Sequence, residues 1–376
     1  MTMIGAERPD TLVEVILGVD THLDFHVAVA VDHLGRRLGE SSVPTTVKGY
    51  ERLLGWAKSF GPLRCAGVEG TSSYGAGLAR HLKARGIEVL EVEHPKRQRR
   101  SSHRNVKKSD PSDAESAARA VLAGEASGVP KSADGRVEMI RALRAARRSA
   151  MKARTQAANQ LQGLRLTAPE QLLKRLRGLS TKELVSVAAR FRLGDDPRDV
   201  RTATKFALRS VARRYEALSA EIAELDAQLD RLVGQVAPEL VSLAGIGTDN
   251  AATLLIVAGD NPQRLRSEAS FASLCGVAPI EASSGKVVRH RLNRGGNRDA
   301  NRALYMICLA RMRRERRTKE YVARRTTEGK SKREIIRCLK RYIAREVYRM
   351  LICCGARSST IGPKNEAHIA AGNSAA

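Results

Sequence analysis

The stretch Asp110-Pro111-Ser112-Asp113-Ala114 places two carboxylates three residues apart at the predicted start of a helix. Residues at this spacing lie on the same side of a helix, and proline is favoured at its first position. Ser109 or Asp110 is the predicted cap, which puts Asp113 in the first turn. The two carboxylates can hold a divalent cation there. Acidic residues are also common in a first turn because they suit the helix dipole, so the stretch alone leaves both interpretations open.

The composition indicates a folded protein that binds a polyanion. Among 376 residues, 66 Lys and Arg stand against 40 Asp and Glu, which gives a formal net charge of +26. The hydrophobic fraction of 42% is ordinary for a folded chain, and the length allows two or three domains with their own cores. Aromatic residues make up only 3% of the chain, which favours phosphate-backbone contacts over binding that depends mainly on stacked bases.

The cysteine pattern and the hydropathy predict a protein that stays inside the cell. The six cysteines show neither CxxC pairing nor histidines at zinc-ligand spacing, so reduced thiols are the simplest interpretation. No secretory signal and no apolar run of transmembrane length is evident. We therefore expect a soluble, cytoplasmic protein without a membrane partner.

The first 130 residues alternate between strand and helix patterns. Strands are predicted near residues 13–20, 25–31, 37–41, 65–68 and 87–92, and helices near 49–60, near 75–85 and from Asp110 onwards. Mixed strands and helices of this kind form an α/β domain with its ligand site at strand ends.

A dense basic loop precedes the helix that begins at Asp110. Its candidate nucleic-acid contacts are Lys96, Arg97, Arg99, Arg100, Lys107 and Lys108. Such clusters usually serve polyanions, although a solvated linker is the alternative.

From about residue 136 the chain is predicted to be helical over a long distance. A first apolar seam is interrupted by Arg147 and Arg154. A later seam repeats every three and four residues without a break, through Tyr215, Leu218, Ile222, Leu225, Leu229, Leu232 and Val236. This pattern is typical of a coiled coil, formed within the chain or across a dimer. Residues 195–199 are predicted to form a connecting loop or tip.

The C-terminal third begins with a glycine turn. Gly245-Ile246-Gly247 resembles a helix-hairpin-helix, in which exposed backbone amides of Gly245 and Gly247 can hold a phosphate, while an ordinary glycine turn between helices is the alternative. Further candidate nucleic-acid contacts are Lys286, Arg289, Arg291, Arg294, Asn297 and Arg298. Residues 300–312 and 334–350 read as basic amphipathic helices, and residues 358–376 as a disordered tail.

Four acids fall at predicted strand ends or helix starts of the first domain: Asp20, Glu69, Asp110 and Asp113. An early strand carboxylate, a glutamate on a later strand and an acidic pair on a final helix follow the ribonuclease-H-like order. Hard oxygen ligands suit Mg²⁺ or Mn²⁺, and a two-metal site stabilises the attacking and leaving oxygens of a phosphoryl transfer.

The chain resembles the DEDD-type insertion-sequence transposases, a family related to the Piv DNA invertase and described as bridge-RNA-guided recombinases. The matching motifs run in the family's order over nearly the whole chain. They are Gly18-Val19-Asp20-Thr21-His22, Gly67-Val68-Glu69-Gly70-Thr71, Lys108 to Ala114, Gly245-Ile246-Gly247, and Ala282-Ser283-Ser284-Gly285 followed by Gly295-Gly296-Asn297.

This resemblance implies roles for the site residues. Asp20, Glu69, Asp110 and Asp113 would form the metal-binding DEDD set, with Mg²⁺ or Mn²⁺ and two ions per site. Ser284 would be the nucleophile that forms a phosphoserine link to DNA, with Ser283 as the neighbouring candidate. From the residues alone, this serine pair is a polar turn.

The resemblance also implies a domain plan. It comprises a RuvC-like α/β metal-binding domain over residues 1–130, a helical coiled-coil region over 131–238 and a mostly helical transposase domain over 239–357 that carries the serine. The coiled coil would form a dimer that assembles into a tetramer, and the serine would reach the metal site of another subunit.

The expected function is therefore a transposase that cleaves and exchanges strands of donor and target DNA, guided by a structured non-coding RNA. A covalent serine link preserves phosphodiester energy, so strands can be resealed without an external energy source. Two alternatives remain: a RuvC-like nuclease or Holliday-junction resolvase with water as nucleophile, and a non-catalytic nucleic-acid-binding scaffold.

Overall fold

The computed structural model describes residues 13–92, 109–126, 128–192, 199–284 and 290–358. The chain divides into two compact units, which we call the N-terminal unit (Met1–Gly135 with Ala258–Arg266) and the helical unit (Arg136–Val257 with Ser267–Ala376). The predicted basic loop at 96–108, residues 195–198 of the predicted tip, Lys286, Arg289 and the tail from residue 359 lie outside the described residues.

Within its described residues, the N-terminal unit contains a mixed five-stranded sheet and three α-helices. In chain order its elements are β1 (Val15–Thr21), β2 (Phe25–Asp32), β3 (Arg37–Pro44), α1 (Val47–Lys58), β4 (Leu63–Glu69), α2 (Ala76–Ala84), β5 (Glu88–Val92) and α3 (Asp110–Leu122). The strand order is β3-β2-β1-β4-β5; β1, β2 and β3 pair antiparallel, and β4 pairs parallel with both β1 and β5. The predicted mixed α/β domain is confirmed.

The two faces of the sheet pack against different helices. Successive side chains of a strand point to opposite faces, so Leu17 and Val19 pack with α1 and α2, whereas Ile16 packs with α3. On β4, Ala66 and Val68 also pack with α1 and α2, whereas Cys65 packs with α3. The sheet is thus the middle of three layers.

Helix α3 lies close to the sheet because glycine occupies two strand positions on its face. A Cβ atom on Gly18 of β1 would lie 2.0 Å from the backbone oxygen of Ala114, and one on Gly67 of β4 would lie 2.6 Å from Val121 Cγ2. The facing side of α3 is small, since Ala114 and Ala117 are fully buried. The lack of a side chain at Gly18 and at Gly67 therefore allows the short distance between α3 and the sheet.

A short later segment completes the N-terminal unit. Asn261 is buried, its Oδ1 accepts a hydrogen bond from the backbone N–H of Ser132 (3.0 Å), and its Nδ2 donates to the backbone oxygen of Pro130 (3.0 Å). Residues 258–266, which include a short 3₁₀ turn at Pro262–Arg264, therefore belong with residues more than a hundred positions earlier.

The described part of the helical unit consists almost entirely of helices. Its elements are α4 (Arg136–Leu166), α5 (Glu170–Leu176), α6 (Thr181–Ala189), α7 (Val200–Val236), α8 (Pro238–Ser242), α9 (Thr248–Ala258), α10 (Glu268–Leu274), β6 (Ile280–Glu281), β7 (His290–Arg291), α11 (Arg298–Arg314), α12 (Arg316–Thr327) and α13 (Lys332–Ser358). None of the helices in the described ranges is both long enough and apolar enough to cross a membrane.

The long helices α4 and α7 pack against each other within the chain. The two arginines that interrupt the α4 seam both contact α7: Arg147 forms an ion pair with Asp226, and the guanidinium of Arg154 lies 5.8 Å from the ring centroid of Tyr215. Polar contacts therefore replace apolar ones at these two seam positions. The coiled-coil geometry and its role in oligomerisation stay predictions.

We predict that Gly18→Ala lowers the free energy of unfolding by about 1–3 kcal/mol or more, because the new methyl group would overlap the Ala114 carbonyl of α3. Thermal and urea unfolding measure this loss. Gly55→Ala is the matched control: Gly55 lies in α1 with no atom within 4 Å of the added Cβ, and the change should stabilise by about 0.5–1 kcal/mol. Equal effects of the two substitutions would contradict the proposed close approach.

Candidate metal centre

Two predicted site acids lie at the C-terminal ends of the neighbouring strands β1 and β4. Parallel pairing of β1 and β4 sets Val19 opposite Val68, so the next residues along the two strands are Asp20 and Glu69. Asp20 and Glu69 each lie two residues after a glycine that faces α3. Alternate residues of a strand share a face of the sheet, so the acids lie on the same face as these glycines. Both acids are buried, with exposures of 9% and 5%, and both face α3.

The first turn of α3 supplies the other two acids. The helix begins at Asp110, with Ser109 as an extended N-cap that makes no side-chain capping bond and with proline directly after Asp110. The predicted helix start is confirmed. Asp110 and Asp113 both lie in the first turn, and the Asp110 side chain is 48% exposed. This end of α3 thus presents carboxylates near the edge where β1 ends.

The structure brings Asp20 and Asp110 together with a histidine that was not predicted as a ligand. His22 Nε2 lies 3.2 Å from Asp20 Oδ2 and 3.4 Å from Asp110 Oδ2. One potential ligand atom from each of the three residues lies within 4.8 Å of the other two. The only sequence signal for this was a spacing of two residues between Asp20 and His22, which places side chains on one face within a strand, but His22 lies one residue beyond β1.

The orientation of His22 fits a metal ligand. Its Nε2 atom is inaccessible to solvent and makes no hydrogen bond to any residue that the structure describes, even though two carboxylate oxygens lie close to it. Two converging carboxylates repel each other unless a positive charge lies between them. A nitrogen and two carboxylate oxygens are suitable ligands for a divalent cation, with carboxylates favouring Mg²⁺ or Mn²⁺ and imidazole accepting softer ions. The donor set therefore fits a divalent metal.

Glu69 and Asp113 lie outside this three-residue cluster, and their assignment as ligands stays a prediction. Glu69 is nonetheless tied to β1, because Thr21 Oγ1 donates a hydrogen bond to the Glu69 backbone oxygen (3.0 Å). Opposite Thr21 on β2 lies His26, which is fully buried. Burial lowers the pKa of His26, so its neutral form is favoured on the other face of the sheet, where its ring stacks on Tyr50 of α1.

The serine pair lies in the helical unit. Ser283 and Ser284 lie just after β6, separated from it by Ala282, and both are exposed. Arg291 lies in β7, and Arg294 and Arg298 are exposed on the residues that follow. Their roles as nucleophile and nucleic-acid contacts stay predictions.

Two other predicted nucleic-acid positions have identifiable structural roles. The Asn297 side chain caps α11 by accepting a hydrogen bond from the backbone N–H of Ala300 (2.9 Å). Gly245 lies between α8 and α9 with a φ of +76°, a conformation that glycine adopts without strain. Gly247 has open space around it, so its backbone remains approachable. The phosphate-binding role of this turn is a prediction that backbone geometry permits.

We predict that Asp20→Asn, His22→Ala and Asp110→Asn each weaken binding of Mn²⁺ to the protein, because each removes one donor of the cluster. The loss should be at least the roughly 10–100-fold seen when supporting residues of metal sites are changed. Titration followed by electron paramagnetic resonance of free Mn²⁺ measures it. Asp24→Asn is the control, an exposed acid close in sequence with the same change of charge. Unchanged affinity in the three variants would exclude this cluster as the metal site.

Comparison with known proteins identifies the family. A family model for DEDD transposases of the IS110 type, described as "Transposase", matches residues 17–167. A second model, described as "Transposase IS116/IS110/IS902 family", matches residues 237–323, and the two matches together cover more than half of the chain. A Streptomyces coelicolor protein described as "Insertion element IS110 uncharacterized 43.6 kDa protein" is 30% identical over 145 residues, 38% of this chain and 36% of that protein, so only about a third of the relative's length is matched. The chain belongs to the IS110 family of DEDD transposases.

Proposed function

We propose that this protein is the transposase of an insertion sequence, which cuts and rejoins strands of donor and target DNA through a covalent link to Ser284. The observation that carries the proposal is that Asp20, His22 and Asp110 converge where β1 ends and α3 begins. This cluster lies inside the region that the DEDD transposase model matches. The net charge of +26 suits a protein whose substrates are polyanions.

The residues of the N-terminal unit would position a phosphate beside the metal cluster. A bound divalent cation, Mg²⁺ or Mn²⁺ and by family resemblance two per site, supplies charge neutralisation and activation of an oxygen nucleophile. Asp20 is buried while Asp110 is half-exposed, so the cluster has one anchored carboxylate and one on the solvent side. A substrate phosphate would reach the cluster from the Asp110 side.

The serine step conserves the energy of the bond that it breaks. Ser284 Oγ forms a bond to phosphorus as a phosphorus–oxygen bond of the DNA breaks, and the departing strand end leaves as a hydroxyl with the serine proton. A second strand end can reverse this step and release the serine. One phosphoester replaces another throughout, so recombination needs no external energy source. Exposure of Ser284 agrees with such a role.

The finer parts of the proposal are supported by resemblance. They comprise a structured non-coding RNA that specifies the target, a dimer that assembles into a tetramer, and delivery of Ser284 by a transposase domain over residues 239–357 to the metal site of another subunit. The packing of α4 against α7 gives the chain a long helical pair on which an oligomer can be built.

We predict that Ser284→Ala abolishes a covalent protein–DNA adduct, because loss of a nucleophile lowers turnover by orders of magnitude. The adduct is measured by denaturing electrophoresis of labelled DNA after the reaction is stopped. Ser283→Ala tests the neighbouring hydroxyl, and Ser242→Ala is the control, an exposed serine of the helical unit whose hydroxyl donates to the Glu239 backbone oxygen. Metal binding should be unchanged in all of these variants.

Two outcomes would replace the proposal. A double variant of Ser283 and Ser284 that still cleaves at the full rate would indicate a RuvC-like nuclease or resolvase with water as nucleophile. Retained function in Asp20→Ala and Asp113→Ala would indicate a nucleic-acid-binding scaffold without catalysis.

We further predict that a defined RNA copurifies with the protein and that changing its loops redirects insertion. Sequencing of bound RNA and of insertion junctions measures both effects. A preparation that is active yet carries no enriched RNA would exclude the guided form of the proposal and leave the serine mechanism standing.

A further inference from the structure

The helical unit contains a half-open cavity of about 670 Å³, which we call the C-terminal groove. It is lined by α13, by β7 and by the segment that follows α10. A second cavity of about 400 Å³ lies around residues 292–305, and the two share Leu292, Asn293 and Lys340 in their walls. The groove is therefore part of a larger depression on one unit.

The walls of the C-terminal groove are strongly basic. Among the residues that the structure describes, the lining contains one carboxylate, Glu334, and six cationic side chains, those of Arg291, Lys330, Arg337, Lys340, Arg341 and Arg345. Glu268 of α10 pairs with Arg341 and with Arg345, whose Nε lies 3.2 Å from Glu268 Oε2. Even with both acids counted, an excess of positive charge remains, which favours an anionic ligand.

Lys340 lies in the wall between the two cavities. It is 8% exposed, and its Nζ donates a hydrogen bond to Asn301 Oδ1 (2.8 Å), a neutral acceptor. Within the described ranges, no carboxylate is seen to pair with this ammonium group. Burial lowers the pKa of Lys340, and the nearby Arg337 acts in the same direction. A buried cation without a counter-charge is costly, and a phosphate in either cavity would remove that cost.

The groove also presents an aromatic ring. Tyr342 is 52% exposed, and its ring packs against the Tyr321 ring in a T-shaped arrangement, with a centroid distance of 5.8 Å and an interplanar angle of 85°. Arg324 lies 5.6 Å from the Tyr321 ring centroid. The contact with Tyr321 leaves about half of the Tyr342 side chain accessible. Although the chain is poor in aromatics, four of its seven tyrosines fall between residues 305 and 348.

We propose that the C-terminal groove binds an unpaired nucleotide of a nucleic-acid strand, with its phosphate against Lys340 and Arg337 and its base on the Tyr342 ring. The volume of the cavity falls within the range of sites that enclose a small-molecule-sized group. Bases inside a duplex are already stacked and cannot lie on a tyrosine, whereas unpaired bases can. The chemistry is shared by single-stranded DNA and single-stranded RNA.

This inference rests on the proposed function only in taking nucleic acid as the polyanion. It adds a strand-holding site to the β6–β7 region, which also carries Ser284. Tyr342 and Arg337 would hold the strand, and no part of the chemistry is assigned to them.

The test is fluorescence anisotropy with full-length protein and three labelled oligonucleotides of equal length: oligo-dT, oligo-rU and a DNA duplex. Tyr342→Ala should weaken binding of at least one of the two single strands by roughly 5- to 150-fold, the range for loss of one stacked base. Tyr342→Phe keeps the ring and should bind as the native protein does. Tyr74→Ala is the control for an exposed tyrosine of the N-terminal unit. Duplex affinity should change less than about twofold, because stacking on tyrosine needs an unpaired base.

A second pair of variants separates the groove from general electrostatics. Arg337→Ala removes a groove charge, whereas Arg333→Ala removes the same charge one helical turn earlier on α13, outside the lining. Arg337→Ala should weaken single-strand binding more than Arg333→Ala does, because both variants lose one positive charge but only Arg337 lines the groove. If Tyr342→Ala does not fold, this pair alone tests whether the groove binds the strand. The strand that loses more affinity identifies the source of the nucleotide.

Equal losses for duplex and single strands, or no difference within either matched pair, would overturn the groove. The serine mechanism would then still stand or fall on the adduct at Ser284. A native protein that binds none of the three oligonucleotides would count against both proposals.

Discussion

The candidate site depends on the close approach of α3 to the sheet. Gly18 and Gly67 carry no side chain where the helix crosses β1 and β4, and Ala114 and Ala117 fill the remaining space. Strand alternation then brings Asp20 and Glu69, each two residues after its glycine, to the face on which α3 begins. A larger residue at Gly18 would meet the backbone of Ala114 and push the first half of the helix, and Asp110 with it, away from the strand ends. The positions of the candidate metal ligands thus depend on the packing of the helix backbone against the sheet.

Much of the N-terminal unit could be predicted because its residues carry strong periodic signals. Alternating apolar residues marked the strands, and the proline and flanking polar residues marked the start of α3 at Asp110. His22 was missed because it lies one residue beyond β1, where the strand pattern had ended. The return of residues 258–266 had no local signal, since Asn261 acts through backbone groups of residues more than a hundred positions away.

The helical unit shows how average composition can conceal local chemistry. A chain-wide aromatic content of 3% argued against stacked bases, yet tyrosines gather where arginine and lysine are dense. Arg147 and Arg154 interrupt the apolar pattern of α4, but both side chains contact residues of α7. Long arginine side chains can satisfy a charge at the edge of an interface while their stems pack inside it, which a two-letter apolar pattern does not represent.

The link between Asn261 and residues 130–132 has a consequence for how the chain is made. The ribosome releases the five strands and α3 early, but the segment that joins them emerges only after residues 136–257. At typical rates of about 5–20 residues per second, this delay lasts roughly 6–24 s. During that interval the backbone N–H of Ser132 and the carbonyl of Pro130 lack the Asn261 side chain that bonds them in the folded unit. Completion of the first unit therefore waits for synthesis of most of α4 to α9, so the two units cannot mature strictly one after the other.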